Sequence, residues 1–270
     1  MLMRLAHLSD LHLGRPISRE KLRSLEGDLL GNRPELLVIT GDITDRGHIS
    51  QFRWAQEFLK GVGIPFLLTP GNREIPIAAF WEWMLPGFAM DRFRTFFGDS
   101  DRILLVCEGP KVALLGLNSV HAFPSWPGKI SRESRYWLKQ QAADLQDYRK
   151  VLFLHHPVMP VIRSSSFWAH TLSDAGELLN ICTQTGIVLI LQGHKHRSSV
   201  VELRVPARNA KVVVSAAGAP LMSHWDAAYH LIELSPHEMV VITREFVQDR
   251  FVQSGEYKFQ LGDGPERQRP

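Results

Sequence analysis

LSDLHLG, residues 8–14, ends the first apolar run of the chain. The residues just before it, 5–8, are apolar enough for a buried strand, and Gly14 lets the backbone turn away. Asp10 and His12 stand two residues apart where this strand gives way to a loop, so a carboxylate and an imidazole can reach one point. An Asp-x-His pair also arises often by chance. Metal binding by this stretch is therefore indicated only if further candidate ligands occur elsewhere in the sequence.

Two more strand–helix units follow the first strand. The sequence predicts helices over residues 18–30 and 51–60, and apolar strands at 36–40 and 65–69. Strands that are apolar along their whole length are buried on both faces, as in parallel sheets. The first third of the chain is therefore predicted to build a parallel sheet.

The rest of the chain contains further predicted elements and no obvious domain boundary. Predicted helices run from Ser131 to about Tyr148 and from a cap at Ser173 or Asp174 to Gly186. Buried strands are expected at 103–107, 112–117, 151–154 and 187–191, and antiparallel strands near 200–203, 211–215, 229–234 and 239–247. We predict one domain over residues 1–254 and a polar, loosely ordered tail over 255–270.

Composition indicates an ordinary globular protein. Of 270 residues, 44% are hydrophobic and 22% charged, and the net charge of +3 is too small to argue for nucleic acid. Cys107 and Cys182 both lie in apolar runs, which favours a reducing compartment over a disulfide framework. No signal core or membrane-spanning run is visible. We expect a cytoplasmic protein, with peripheral membrane contact still open and the oligomeric state undetermined.

Five apolar strands end in side chains that bind metals. These side chains are Asp10 and His12, Asp42, Asn72, His155, and His194 with His196. Each group lies just past the carboxyl end of its strand, where open α/β sheets bind ligands. The donors are carboxylates, an amide and imidazoles without any thiolate, which suits Mn, Fe or Zn. The repetition predicts one metal centre built from all five loops.

The blocks resemble those of the calcineurin-like metallophosphoesterases. That pattern, Asp-x-His, Gly-Asp, Gly-Asn-His, His and Gly-His-x-His, is matched in order from residue 10 to residue 196, with one residue changed in the third block. The resemblance implies an α/β (α+β) fold, the four-layer αββα sandwich. It assigns one metal to Asp10, His12, Asp42 and His196, and a second to Asp42, Asn72, His155 and His194. The sequence alone leaves His155 and His156 open, and the resemblance favours His155.

The resemblance also implies a reaction. Two divalent ions bring four positive charges, of which Asp10 and Asp42 balance two, so the site favours an anionic phosphate. Two such ions hold an attacking hydroxide between them and lower the pKa of bound water from about 15.7 towards 7. The expected activity is hydrolysis of a phosphodiester or pyrophosphate bond in a small nucleotide or nucleotide-linked lipid. Asp42, as the bridging ligand, is then a catalytic residue.

One motif departs from the family pattern, at Arg73. Arginine stays protonated, so Arg73 cannot donate a proton to the leaving group, but it can bind a phosphate oxygen. We therefore predict Arg73 as a catalytic charge stabiliser that binds substrate together with Asn72. Gly71-Asn-Arg-Glu74 resembles the UDP-diacylglucosamine hydrolases of lipid A synthesis. The block at 40–47 and His-His-Pro at 155–157 instead resemble the cyclic-nucleotide phosphodiesterase branch.

The motifs leave two further functions open, and one segment has two possible roles. A DNA nuclease of the double-strand-break repair type shares the motifs, but the chain lacks an obvious basic stripe. A non-catalytic scaffold of the same fold usually loses ligands, whereas seven ligand positions are retained here.

The segment 78–100 is rich in aromatic residues, among them Trp81, Trp83, Phe88 and Phe93. It is predicted to pack mainly on the core, with one or two rings at the edge of the site.

Overall fold

The structure is a computed structural model that describes residues 1–75, 90–99, 101–121, 127–160 and 171–262. Within these ranges the strands are β1 Met3–Leu8, β2 Leu36–Thr40, β3 Phe66–Thr69, β4 Arg102–Cys107, β5 Val112–Leu117, β6 Arg149–Phe153, β7 Ile187–Gln192, β8 Ser199–Val205, β9 Ala210–Ala216, β10 Ala228–Leu234, β11 Glu238–Val247 and β12 Arg250–Gln260. The helices are α1 Arg19–Asn32, α2 Ile49–Val62, α3 Asp91–Phe97, α4 Arg132–Asp144 and α5 Ala175–Thr185. A short 3-10 turn occupies Asn72–Glu74.

The strands form two six-stranded mixed sheets. The first has the order β12-β11-β10-β1-β2-β3, in which β1, β2 and β3 are parallel as predicted. The second has the order β4-β5-β6-β7-β9-β8, with β5, β6, β7 and β9 parallel. The prediction that all late strands are antiparallel is therefore wrong for β9, because that strand pairs in parallel with β7 and antiparallel only with β8.

Three apolar clusters divide the molecule into four layers. Leu37 and Ile39 of β2 pack with side chains of α1 and α2, while Leu36 and Val38 point to the other face. That second face meets residues of β5, β6 and β7, so the two sheets share a core. A third cluster joins the second sheet to α4 and α5. Because side chains alternate between two buried faces, the strands are apolar throughout. This arrangement is the expected αββα sandwich.

Local signals set most helix boundaries. Ser18 and Ser131 cap α1 and α4, each through a side-chain oxygen that accepts a backbone N–H at 3.0 Å. Gly186 ends α5 in the left-handed conformation. Helix α4 ends at Asp144, earlier than predicted, because Leu145 leaves the helical conformation while its side chain packs on the core.

Part of the predicted tail is an ordered strand, so the prediction is wrong for residues 255–260. Residues 255–260 belong to β12, which pairs with β11 at the edge of the first sheet. An edge strand with mostly solvent-exposed side chains is polar, so its composition resembles that of a tail. Residues 263–270 lie outside the described residues.

The described part of the aromatic segment packs in the core. Phe93 is buried, and its ring lies with those of Phe96 and Phe97 around Phe52 of α2, at centroid distances of 5.6–6.4 Å. These contacts agree with the predicted core role for this part of the segment. Trp81, Trp83 and Phe88 lie outside the described residues.

A buried histidine links the two sheets beneath the loops that carry the predicted ligands. His230 of β10 bonds through Nδ1 to Ser215 Oγ of β9 at 2.6 Å and through Nε2 to Ser198 Oγ at 2.8 Å. Burial lowers the pKa of His230 from 6.5 to about 4. The imidazole is therefore neutral in the folded protein at neutral pH.

This shift predicts an acid-sensitive contribution to stability. Below its usual pKa the unfolded chain binds a proton at His230 that the folded chain does not, so stability falls as the pH drops from about 6.5 towards 4. Between about pH 7 and about pH 5 we expect the wild type to lose about 2 kcal/mol more unfolding free energy than His230→Gln. Urea unfolding at both pH values measures this. His224→Gln, at an exposed position, should keep the wild-type loss, and an equal loss in all three proteins would contradict the prediction.

Candidate metal centre

The predicted ligands lie at the carboxyl ends of β1, β2, β3, β6 and β7. Five of them have positive backbone φ angles, between 47° and 71°: Asp10, His12, Asp42, His194 and His196. This conformation is unfavourable for residues other than glycine, and it persists only where the surroundings enforce it. The sharp turns after the strands thus direct side chains of successive residues towards one region.

The first group of ligands comprises Asp10, His12, Asp42 and His196. One donor atom from each lies within 4.8 Å of all the others. His12 Nε2 and His196 Nε2 are 3.0 Å apart, and His196 Nε2 is 3.1 Å from Asp10 Oδ1. Two ring nitrogens and the carboxylate oxygens therefore converge on one point, which is the donor arrangement that a divalent cation requires.

The second group comprises Asn72, His155, His194 and again Asp42. Asn72 Oδ1 lies 3.1 Å from His155 Nε2 and 2.9 Å from His194 Nδ1. The two ring nitrogens are 3.1 Å apart. Asp42 Oδ1 completes the group at 3.5 Å from His155 Nε2.

Asp42 is common to both groups and presents a different oxygen to each. Its Oδ2 is 3.9 Å from His12 Nε2, whereas its Oδ1 faces His155. The carboxylate is almost fully buried. A single side chain between two donor clusters is the arrangement that a bridging ligand requires.

The neighbouring histidines His155 and His156 face different partners. His155 Nδ1 is 2.7 Å from the carbonyl oxygen of Thr40, a geometry that fixes this nitrogen as the donor and leaves Nε2 free of hydrogen towards the cluster. His156 Nδ1 lies 3.0 Å from Ser119 Oγ instead. Of the two, His155 has the ring nitrogen that meets the other candidate ligands.

The charges at the cluster are poorly balanced without a cation. Burial and the charge of Asp10 raise the pKa of Asp42. Burial also acts to raise the pKa of Asp10, but His196 outweighs it and the pKa falls below its usual range. Burial lowers the pKa of His12 to about 3, so its ring is neutral and able to bind a metal. A buried carboxylate whose ionisation is opposed by burial and by the charge of Asp10, beside the neutral ring of His12, fits bound divalent cations.

Close backbone packing explains two glycines of the motifs. A Cβ on Gly193 would lie 1.8 Å from Ser9 Oγ, and one on Gly71 would lie 2.3 Å from Asp42 Oδ1. Ser9 Oγ in turn donates to Asp10 Oδ2 at 2.5 Å, and the backbone N–H of His194 donates to the same oxygen at 2.9 Å. The loops from the two sheets are therefore held directly against each other at the ligands.

Glu74 is a buried residue of the site for which the motifs predicted no role. Its Oε2 accepts the backbone N–H groups of Gly71 at 2.7 Å and Asp42 at 2.8 Å. Its Oε1 accepts the backbone N–H of Thr44 at 3.0 Å and the Thr44 hydroxyl at 2.9 Å. The side chain thereby ties the loop that carries Asp42 to the loop that carries Asn72. A glutamate three residues after the start of the turn, which can reach back to the first backbone N–H as in one half of a capping box, was a signal for this contact.

Arg73 is half-buried beside the cluster. Its backbone N–H donates to Asp42 Oδ1 at 2.8 Å. Its positive charge also contributes to lowering the pKa values of His12 and Asp42, although other causes are larger. The guanidinium therefore acts electrostatically on the first ligand group.

Two donor clusters that share one carboxylate, at the loop edge of an αββα sandwich, form a candidate metal centre. The sequence profile of the family described as calcineurin-like phosphoesterase matches residues 3–198, and the chain belongs to this family. The match ends just after the Gly-His-x-His loop. The predicted family is thereby confirmed.

Relatives named as phosphodiesterases are similar at 25–27% identity. A probable glycerophosphodiester phosphodiesterase, GpdQ of Arcobacter nitrofigilis, is 27% identical over 197 residues, covering 70% of this chain and 64% of that protein. The 3′,5′-cyclic adenosine monophosphate phosphodiesterase CpdA of Escherichia coli K12 is 25% identical over 166 residues, covering 60% and 54%. The matched regions thus span about two thirds or less of these relatives.

A solved structure shares the fold. The dimetal phosphatase from Danio rerio superposes with a TM-score of 0.66 at 13% identity, covering 93% of this chain and 98% of that one.

Among the residues that our structure describes, no helix has the length and apolarity needed to cross a membrane.

Proposed function

We propose that this protein is a binuclear metal-dependent phosphodiesterase that hydrolyses a small phosphodiester. The observation that carries the proposal is the position of Asp42, whose two oxygens face two separate donor clusters. One metal is held by Asp10, His12, Asp42 and His196, and the second by Asp42, Asn72, His155 and His194. When bound, the two ions supply Lewis acidity and an activated water molecule.

The donor chemistry supports Mn, Fe or Zn, since every ligand is a carboxylate, an amide or an imidazole. Asn72 and Arg73 are proposed to bind the phosphate of the substrate. Arg73 orients the phosphate and stabilises its negative charge, because a guanidinium is a hydrogen-bond donor and a poor acid.

The names of the relatives favour a phosphodiester over a pyrophosphate. Both GpdQ and CpdA are named as phosphodiesterases. A lipid-linked UDP substrate, which the likeness of Gly71-Asn-Arg-Glu74 suggests, needs an apolar wall for its acyl chains. The described rings of the aromatic segment, Phe93, Phe96 and Phe97, pack around Phe52 instead.

A DNA nuclease and a non-catalytic scaffold receive less support. A nuclease would be expected to carry a basic stripe, and the net charge of +3 is small. A scaffold does not need to keep seven ligand positions together, and all seven converge here. Small-molecule hydrolysis is therefore the function that we propose.

The decisive experiment is a substrate panel on metal-replete protein. It compares bis(p-nitrophenyl) phosphate, 3′,5′-cyclic AMP, a glycerophosphodiester, UDP-diacylglucosamine and single-stranded DNA, each with Mn, Fe, Zn, Co and Mg. We expect metal-dependent hydrolysis of the first three substrates or a subset of them. Cleavage of only the UDP-linked lipid or only DNA would replace the proposed substrate class. Stoichiometric metal binding without any hydrolysis would favour the scaffold.

Arg73→Ala tests the proposed role of the arginine. Loss of a charged hydrogen bond to the phosphate should lower kcat/KM by an amount equivalent to about 1.5–3 kcal/mol. The loss should be similar for aryl and alkyl leaving groups, because Arg73 donates no proton. Arg46→Ala, at a more exposed arginine of the neighbouring loop, serves as the comparison. A loss confined to poor leaving groups would indicate a proton-delivery role and contradict this assignment.

A further inference from the structure

An exposed tryptophan lies at the rim of the metal centre. The structure describes three exposed aromatic side chains, Tyr136, Trp225 and Tyr257, and Trp225 is the one whose ring contacts a candidate ligand. Its ring centroid is 5.1 Å from that of His196, with the two planes at 82°. Despite this contact, 42% of Trp225 remains exposed to solvent. A single exposed tryptophan is unremarkable on a protein surface, so its place beside His196 is the informative feature.

The position of Trp225 is set by its neighbour Asp226. The backbone N–H of Asp226 donates to the His196 carbonyl at 3.2 Å. Asp226 Oδ2 accepts the backbone N–H of Ser198 at 3.0 Å, and Asp226 Oδ1 accepts from Arg197 at 2.8 Å. The tryptophan loop is thus hydrogen-bonded to the loop that carries the ligand.

Arg197 adds a planar cation to the same rim. Its guanidinium lies 5.4 Å from the centroid of the Trp225 ring, within the range of a cation–π contact. The ion pair with Asp226 holds it there, and the Arg197 side chain is half-buried, with 30% exposed. The rim therefore presents an indole whose orientation is fixed from two sides, by His196 and by Arg197.

We infer that Trp225 stacks against a planar aromatic group of the substrate, and that the substrate is a nucleotide. This inference rests on the proposed function, because it requires a phosphate ester at the metal centre. Because the Trp225 ring contacts the ring of His196, an ester whose phosphate is held at the metal centre would bring its organic group to this rim. The organic group of a nucleotide carries a base that can extend over the indole, whereas a glyceryl group has no ring to stack. Stacking on an aromatic side chain accepts any base, since every base has a π face.

The test compares the binding of two phosphate monoesters to metal-replete protein by calorimetry. Probes are 5′-AMP and glycerol 3-phosphate, which share the phosphate and differ in the base. Trp225→Ala should lower the binding affinity for 5′-AMP by about tenfold relative to that for glycerol 3-phosphate, within the range that base stacking contributes. Trp225→Phe, which keeps a ring, should recover most of this preference. Tyr257→Ala, at a residue with the same 42% exposure but on the edge strand β12, should leave it unchanged.

The remaining outcomes overturn the inference. If Trp225→Ala lowers the binding affinity for both ligands equally, the indole serves only to position His196. The same conclusion follows if elemental analysis shows that the variant protein contains less metal than the wild type. If the wild type does not prefer 5′-AMP, no base is stacked. Failure of the proposed function is distinguishable from failure of this inference. In that case the wild type would bind 5′-AMP through Trp225 and yet hydrolyse no phosphodiester.

Discussion

Asp42→Asn is expected to lose metal and activity together. The substitution removes a negative charge that faces two donor clusters, so both sites should weaken, with less than two metal equivalents retained after dialysis. Even changes in groups that only support a metal ligand reduce metal affinity or activity by 10–100-fold. For a shared ligand we therefore expect kcat/KM to fall by more than about 100-fold. Elemental analysis and kinetics on the same preparation measure the two effects.

An exposed aspartate provides the control for this substitution. Asp144→Asn, at the end of α4, makes the same chemical change and should keep the metal content and rate of the wild type. Substitutions that touch one group only refine the test: Asp10→Ala should empty the first site preferentially, and Asn72→Ala the second. If the Asp42→Asn protein retained two full metal equivalents and hydrolysed substrate at a near-normal rate, Asp42 could not be a shared ligand.

Glu74→Ala should damage both stability and metal binding. Three backbone N–H groups and one hydroxyl, all within 3.0 Å of the carboxylate, would lose their acceptor in a buried position. Each unsatisfied buried donor costs about 1–3 kcal/mol, so for four donors we expect the unfolding free energy to fall by at least about 4 kcal/mol. The loops carrying Asp42 and Asn72 would also separate, which should weaken metal affinity by about 10–100-fold. Urea unfolding and metal titration measure the two losses.

Two variants separate a positioning role from general destabilisation. Glu74→Gln keeps the shape of the side chain but directs an N–H₂ group at donors, so it should fold and still bind metal more weakly. Glu57→Ala, at an exposed glutamate within α2, should leave both properties unchanged. Wild-type metal affinity in a folded Glu74→Gln protein would show that the carboxylate does not hold the ligand loops.

The sequence was most informative about the metal site, because the same pattern of an apolar strand followed by candidate ligands repeats along the chain. Each predicted ligand follows an apolar strand, and the carboxyl ends of neighbouring strands meet at one edge, so the cluster could be predicted before its geometry was known. The two-sided burial of β2 likewise produced an unbroken apolar run that predicted a covered sheet. The pattern could not reveal which of His155 and His156 faces the cluster, because that depends on hydrogen bonds to Thr40 and Ser119, which are distant in sequence.

Other features depend on contacts that no local pattern encodes. Among the described strands, β12 pairs with β11 alone, and it has few buried side chains, so it resembled a polar tail. Glu74 looked like an ordinary loop residue because its acceptor role requires Asp42 and Thr44 to approach from another loop. Trp225 follows His196 by twenty-nine positions, and the hydrogen bonds of Asp226 together with the contacts of His196 and Arg197 bring it to the rim.

The central claim is that one carboxylate joins two metal sites. Titration of metal-free protein with Mn²⁺, followed by electron paramagnetic resonance, tests it most directly. We expect saturation at two Mn²⁺ per chain and a spectrum of two exchange-coupled ions, with the coupling lost in Asp42→Asn. Saturation at one ion per chain, or two ions without magnetic coupling in the wild type, would contradict the claim.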